Sequence, residues 1–171
     1  AINIDYQDTV DKDGNVVVSA AQKLAEVAIE TAKTAKVFGI DPKVAMLSFS
    51  TKGSGKGGTV KLSHDAVIEA KAMDPELCID GEMQFDAAVA PEVGQLKFPG
   101  SPVAGHANTF IFPDIEAGNT FYKTLTLFGG ATVAGMLVGT TAPVVVTSRA
   151  DTADSKFYSL ATACLKAINK Q

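Results

Sequence analysis

Apolar positions return along this chain with two different spacings. From Ser19 the spacing is helical, through Leu24, Val27, Ala28, Thr31, Ala35 and Phe38. Ser19-Ala-Ala-Gln22 forms a capping box, in which Ser19 accepts from an early helix amide and Gln22 reaches back. Gly39 stops that helix and Pro42 prevents its resumption. "KVAMLSF" then reads as a short, continuously apolar strand. After a glycine-rich stretch, Ser63 is expected to cap a second helix that runs to Met73. "LCID" reads as a further strand, and short helical pieces follow, broken by Pro91, Pro99 and Pro102. "NTFIFPD" predicts a buried strand, "IEAGNTFYKTLTLFGG" a helix, "APVVVTS" a last strand and "TADSKFYSLATACLKAINK" a last helix. That helix places Phe157, Leu160, Ala161, Cys164, Leu165 and Ile168 on one face.

Strands that are apolar throughout, alternating with helices, predict an α/β fold with helices on both faces of a largely parallel sheet. Ligands in such folds gather at the carboxyl ends of strands. Those ends carry the stretch after Phe49, "DGEMQFD", "PDIEAGN" and "SRADTADS", where polar residues concentrate.

Composition narrows the function classes. The 171 residues are 46% hydrophobic and 20% charged, an ordinary globular balance. A formal charge of −4 offers no basic face for nucleic acid. No apolar run has the length of a membrane span. Cys78 and Cys164 lie in apolar surroundings at unrelated spacing, which predicts two buried, reduced thiols and a cytoplasmic protein. No clustered ligands suggest a metal, and Asp80, Asp86, Asp114, Asp151 and Asp154 match no standard spacing. The chain begins at Ala1, which suggests processing or a longer parent.

The stretch "FSTKGSGKGGTVK", Phe49 to Lys61, has four glycines and three lysines and invites a phosphate. It is not a P-loop: Ser50 stands at the first glycine position, and Gly57 where the magnesium-binding hydroxyl belongs. A flexible solvated loop is the alternative. Arg149 is the sole arginine, placed between an expected buried strand and a helix start. A guanidinium and a helix N-terminus repel unless an anion lies between them, so Arg149, Ser148 and the helix amides suit a phosphate or carboxylate. Pairing of Arg149 with Asp151 or Asp154 is the alternative. Lys97, Lys123, Asn108, Asn119, His64 and His106 are further polar residues near strand ends or helix starts; no serine–histidine–aspartate set is evident.

"VAMLSFSTKGSGKG", "LCIDGEMQFDAAV", "SPVAGHANTFIFPDIEAGNTFYK" and "TSRADTADS", in this order, resemble the carboxyl-terminal half of the phosphate acetyltransferase/phosphate butyryltransferase family. The resemblance implies a fold similar to isocitrate and isopropylmalate dehydrogenases, with two α/β domains flanking a cleft. It implies that residues 1–135 form the coenzyme A-side domain and that residues 136–171, a strand and a helix, return to an amino-terminal domain. The implied activity is reversible transfer of an acetyl group between coenzyme A and inorganic phosphate, giving acetyl phosphate. Phosphate butyryltransferase is one alternative, and a non-catalytic coenzyme A- or anion-binding fragment is another. Coenzyme A and acetyl-CoA enter as substrates; no metal or other cofactor is implied, and the full-length protein is expected to be a homodimer. A dehydrogenase of similar fold is disfavoured, because a single arginine is too few for its substrate carboxylate.

By the same resemblance, Ser148 and Arg149 match the Ser-Arg pair that holds phosphate and polarises the acyl group. Lys97 and Lys123 fall where members carry lysines near the site, Asn119 matches the "GN" of its block, and Thr51 lies in the cleft loop. Acetyltransferases often read Ser-Arg-Gly-Cys-Ser, whereas this chain reads Ser-Arg-Ala-Asp-Thr-Ala-Asp-Ser. The base is therefore open between Asp154 and Asp151. His106 stands where a lysine is usual.

Overall fold

A computed structural model of the chain describes residues 5–169. It opens with a hairpin of β1 (Thr9–Val10) and β2 (Val16–Val18), which the hydrophobic pattern does not mark because Val10, Val16 and Val17 are exposed. Asp11 builds its turn, accepting from the amides of Asp13 and Asn15 at 2.8 and 2.9 Å.

Helix α1 (Ala20–Val37) begins with the expected capping box. The Gln22 amide donates to Ser19 Oγ at 3.1 Å, and the Ser19 amide donates to Gln22 Oε1 at 3.0 Å. Its buried stripe is Leu24, Ala25, Ala28, Ile29 and Ala32, rotated from the expected one. Thr31 is only half-buried and donates its hydroxyl to the Val27 carbonyl of its own helix. Next come β3 (Val44–Leu47), α2 (Gly58–Met73), β4 (Ile79–Met83), α3 (Phe85–Val89), α4 (Pro91–Lys97), β5 (Thr109–Ile111), α5 (Ile115–Leu127) and α6 (Ala153–Ile168).

The sheet has three parallel strands in the order β4-β3-β5. Central β3 is buried on both faces, as its unbroken apolar run predicts. Val44 and Met46 pack with α1 and α2, while Ala45 and Leu47 pack with α3, Val103 and Ala104. Asn108 locks the start of β5 beside β3: its Oδ1 accepts from the Lys43 amide and its Nδ2 donates to the Asp41 carbonyl, both at 2.8 Å.

Four expectations need correction. Helix α2 starts at Gly58, so Ser63 is not its cap. Ser63 is buried within the helix and donates its hydroxyl to the Leu47 carbonyl at 3.1 Å, a contact that ties α2 to β3. The last strand, expected over "APVVVTS", does not form; Val144 makes one isolated bridge with Leu137, and Val146 is 73% exposed. A parallel strand needs a neighbour that accepts its ladder, and this segment joins neither edge of the sheet. The apolar face of α6 is largely uncovered for the same reason: Phe157, Leu160, Leu165 and Ile168 are exposed. Hence Cys164 is exposed and Cys78 half-buried, not two buried thiols, although both are free. Lys170, the last residue of the expected helix, lies outside the described residues.

Candidate functional site

Beyond β3 the chain does not enter a slack loop. Ser50 and Thr51 are buried, and the loop is fastened at both ends. The Ser48 amide donates to the Met83 carbonyl at 2.9 Å and the Lys52 amide to the Glu82 carbonyl at 3.1 Å. Glu82 Oε1 accepts from Ser50 Oγ at 2.9 Å and from the Gly53 amide at 2.7 Å. Its Oε2 stands 3.4 Å from His64 Nδ1 on α2. Burial is the largest influence on this carboxyl and pushes its pKa up. The Gly53 amide, its own amide, the Ser50 hydroxyl and the imidazole outweigh burial and hold the group below the ordinary glutamate range.

Gly81, just before Glu82, has φ +146, and a Cβ there would lie 2.6 Å from the Met46 carbonyl oxygen. Only glycine lets the two backbones approach so closely. Against the loop lies an open cleft of about 690 Å³, lined by Lys52, Gly53, Lys56, Lys61, His64 and Phe98 together with Gly81 and Glu82. Lys61 pairs with Asp65. Lys52 Nζ sits 5.1 Å from the centre of the Phe98 ring. Lys52 and Lys56 have no carboxylate partner among the described residues. The cleft thus presents basic side chains, a chemistry that suits an anion.

The residues singled out in the sequence fall into two groups. Thr51 and Lys97 join the loop. Thr51 Oγ1 accepts from the Gln84 amide at 2.9 Å, while Lys97 Nζ donates to Gln84 Oε1 at 2.9 Å and to Asp86 Oδ2 at 2.8 Å. The ammonium of Lys97 holds Asp86 below the ordinary aspartate range.

Ser148, Arg149, Lys123 and Asn119 gather around α5 and the turn before α6. Asp151 Oδ2 accepts from the Ser148 amide at 2.7 Å, and its Oδ1 accepts from the Tyr122 hydroxyl at 3.3 Å. Lys123 Nζ lies 4.4 Å from the Tyr122 ring centre. Asn119 is exposed on α5, whose cap is Asp114. Asp154 is exposed in the first turn of α6, which Thr152 caps. Arg149 is exposed, and no acceptor engages it among the described residues, so it does not pair with Asp151 or Asp154. No hydrogen bond or ion pair links the two groups among the described residues. Phe85 on α3 meets Phe121 on α5 and Phe110 on β5, at 4.9 and 5.3 Å between ring centres.

Sequence reasoning missed Glu82 and Gln84, the residues that tie the loop down. The available signal was Gly81, a glycine between two acidic residues in a short buried strand, and an isolated strand glycine suggests a bulge.

The family described as Phosphate acetyl/butaryl transferase matches residues 12–164. The phosphate acetyltransferase of Corynebacterium glutamicum is 49% identical over 148 residues, covering 86% of this chain and 45% of that protein. The phosphate acetyltransferase of Bacillus subtilis is 50% identical over 142 residues, covering 82% and 44%. The crystal structure of a phosphotransacetylase from Streptococcus pyogenes superposes with a TM-score of 0.81 at 47% identity, covering 86% of this chain and 45% of that one. The chain therefore spans less than half the length of these relatives. It belongs to the phosphate acetyl/butaryl transferase family.

Proposed function

We propose that this chain is the carboxyl-terminal half of a phosphate acetyltransferase, which moves an acetyl group between coenzyme A and inorganic phosphate. The observation that carries this reading is the family match across residues 12–164, which spans both groups of candidate residues. The acetyl form is preferred over the butyryl form because the similar relatives are named phosphate acetyltransferase. A metal has no part in the proposal, and coenzyme A is a substrate.

In the proposed reaction a carboxylate takes the thiol proton of coenzyme A. The sulfur forms a bond to the carbonyl carbon of acetyl phosphate, the carbon–oxygen bond to phosphorus breaks, and inorganic phosphate leaves with the electron pair. Asp154 is the better base: Asp151 already accepts from the Ser148 amide and the Tyr122 hydroxyl, whereas Asp154 has no such partner among the described residues. Arg149 and Ser148 stabilise charge on the phosphate and the carbonyl oxygen. Lys123 and Asn119 flank that centre, and Thr51 and Lys97 support the loop that receives coenzyme A.

Residues 1–135 would then form one wall of a cleft of the isocitrate/isopropylmalate dehydrogenase type, and residues 136–171 would cross to the other wall. The exposure of Val146 and of the apolar face of α6 supports that crossing. Leu125 and the 89% exposed Phe128, at the end of α5, support a homodimer of the assembled enzyme. Among the described residues no helix is long and apolar enough to span a membrane. The free cysteines are in keeping with a cytoplasmic setting.

A second reading, a coenzyme A- or anion-binding module without turnover, is favoured by one observation: the chain spans only 45% of its Corynebacterium relative. Arg149→Ala in the assembled enzyme tests the first reading. Hydrogen bonds to a charged group are worth about 1.5–3 kcal/mol each, so losing one lowers turnover about ten- to a hundredfold. Tm should not change, and Arg149→Lys should rescue only partly because the planar fork is lost. Normal turnover and normal phosphate affinity in Arg149→Ala would end the assignment.

A further inference from the structure

Strand β4 carries one residue more than its partner. Met46 faces Gly81 and Leu47 faces Met83, so Glu82 is the residue left over. An inserted residue breaks the alternation of the ladder and re-aims its side chain. The parity change is visible on either side of it: Ile79 packs with α1 and α2, whereas Met83 packs on the opposite face with α3. Between them the Glu82 side chain turns beneath the glycine loop, and the residue is 1% exposed.

A buried carboxylate is a costly way to fill space, and an apolar residue of similar size would serve packing better. Among the described residues no lysine or arginine pairs with Glu82, and the His64 imidazole stands 3.4 Å from its Oε2. What it holds is the loop: Ser50 Oγ, the Gly53 amide and, through its own carbonyl, the Lys52 amide. The segment it grips is also unfavourable by itself. Lys52 has φ 50 and Gly53 φ 78, consecutive left-handed residues of which one carries a side chain. Such a turn persists only when its surroundings impose it.

We propose that Glu82 is the positioning residue of the cleft: its carboxylate is the template on which residues 50–55 fold, and it thereby sets where the Lys52 ammonium meets an anionic ligand. The ligand half of this statement rests on the reading of the cleft as a coenzyme A–phosphate face; the loop half does not. Lys52 is the cation so placed, resting over Phe98 at the cleft wall.

The test is hydrogen exchange by mass spectrometry on the 171-residue chain, wild type against Glu82→Gln, with coenzyme A affinity measured on the same samples. Glutamine keeps the size and loses the charge. Exchange across residues 50–55 should quicken about tenfold or more, while α1 and β3 stay unchanged, because the loss is local. Affinity for coenzyme A should fall severalfold, and Glu82→Asp should recover part of both effects.

Loop protection in the wild type should also fall in acid, as Glu82 is protonated, and lose that dependence in Glu82→Gln. The groups facing this carboxylate are His64 from α2 and Ser50 and Gly53 from the loop; Asp86, which holds Lys97 near the loop stem, also responds to acid, so the part of the response that Glu82→Gln abolishes is the part that belongs to Glu82. If Glu82→Gln does not fold, Ser50→Ala, which removes one donor, carries the same comparison.

An unchanged loop overturns the proposal. Faster exchange spread evenly over α1, β3 and the loop also overturns it, because Glu82 would then be a core residue only. A loosened loop with unaltered coenzyme A affinity removes the ligand-positioning role. Absence of coenzyme A binding by the wild type removes the reading of the cleft, and the exchange comparison still decides what Glu82 does to the loop.

Discussion

The Lys97 ammonium donates to both Gln84 and Asp86, so a lysine that looked available to substrate in the sequence is already engaged. Its effect runs through Gln84 to Thr51 and so to the stem of the loop. Asp86 is held below the ordinary aspartate range, by Lys97 first. A depressed folded pKa adds stability that is present above the unfolded value and lost as pH falls through the folded one. Acid should therefore release Lys97, and Asp86→Asn should release it at every pH. The pair is exposed, so Asp86→Asn should move Tm by less than about 4 °C. Acetylation of Lys97, read by mass spectrometry, should rise in that variant; unchanged labelling would mean that Gln84 alone holds the ammonium. Lys97 was legible as a residue near a strand-end loop, whereas Thr51 came from the family resemblance. Glu82 was not legible, because its position depends on a bulge set by strand pairing. Arg149 stood out by composition, and no acceptor among the described residues engages it.

Helix α1 illustrates what local sequence determines well. Its capping box closes in both directions, with hydrogen bonds of 3.0 and 3.1 Å. Ser19→Ala should destabilise the chain by about 1 kcal/mol and lower Tm by about 2–4 °C, read by thermal unfolding. No loss would mean that the neighbouring contact, from the Ala20 amide to Asp8 Oδ1 at 2.7 Å, suffices to hold the helix start. Strands β3, β4 and β5 and helices α5 and α6 were likewise legible, in order and kind, from periodicity and stop signals. The failures have a different physical origin. The start of α2 was misplaced because Ser63 serves a contact with β3 and not its own helix end. The strand over residues 142–148 has the right composition, but composition does not supply a neighbouring edge. The apolar face of α6 is real as a pattern and uncovered as a surface, since burial depends on what lies opposite.

Two regions of different character make up the molecule. Around β3 the chain is packed on both faces of the sheet and presents a basic cleft beside a fastened loop. From the end of α5 onward it exposes apolar residues, with Phe128 at 89% and Ile168 at 79%, and Arg149 has no carboxylate partner among the described residues. The chain spans 45% of its Corynebacterium relative and exposes apolar residues from the end of α5 onward, in keeping with the proposal that it supplies half of an active centre. Positioning and water exclusion supply much of the acceleration in such centres, so the isolated chain should be a poor catalyst. The direct measurement is thioester formation from acetyl phosphate and coenzyme A, with the chain alone and with the amino-terminal half of that relative supplied in trans. Little turnover is expected alone, with turnover on mixing and its loss when the chain carries Arg149→Ala. A stable complex of the two halves that makes no thioester, or an isolated chain that turns over as fast as the intact relative, would contradict the proposed function.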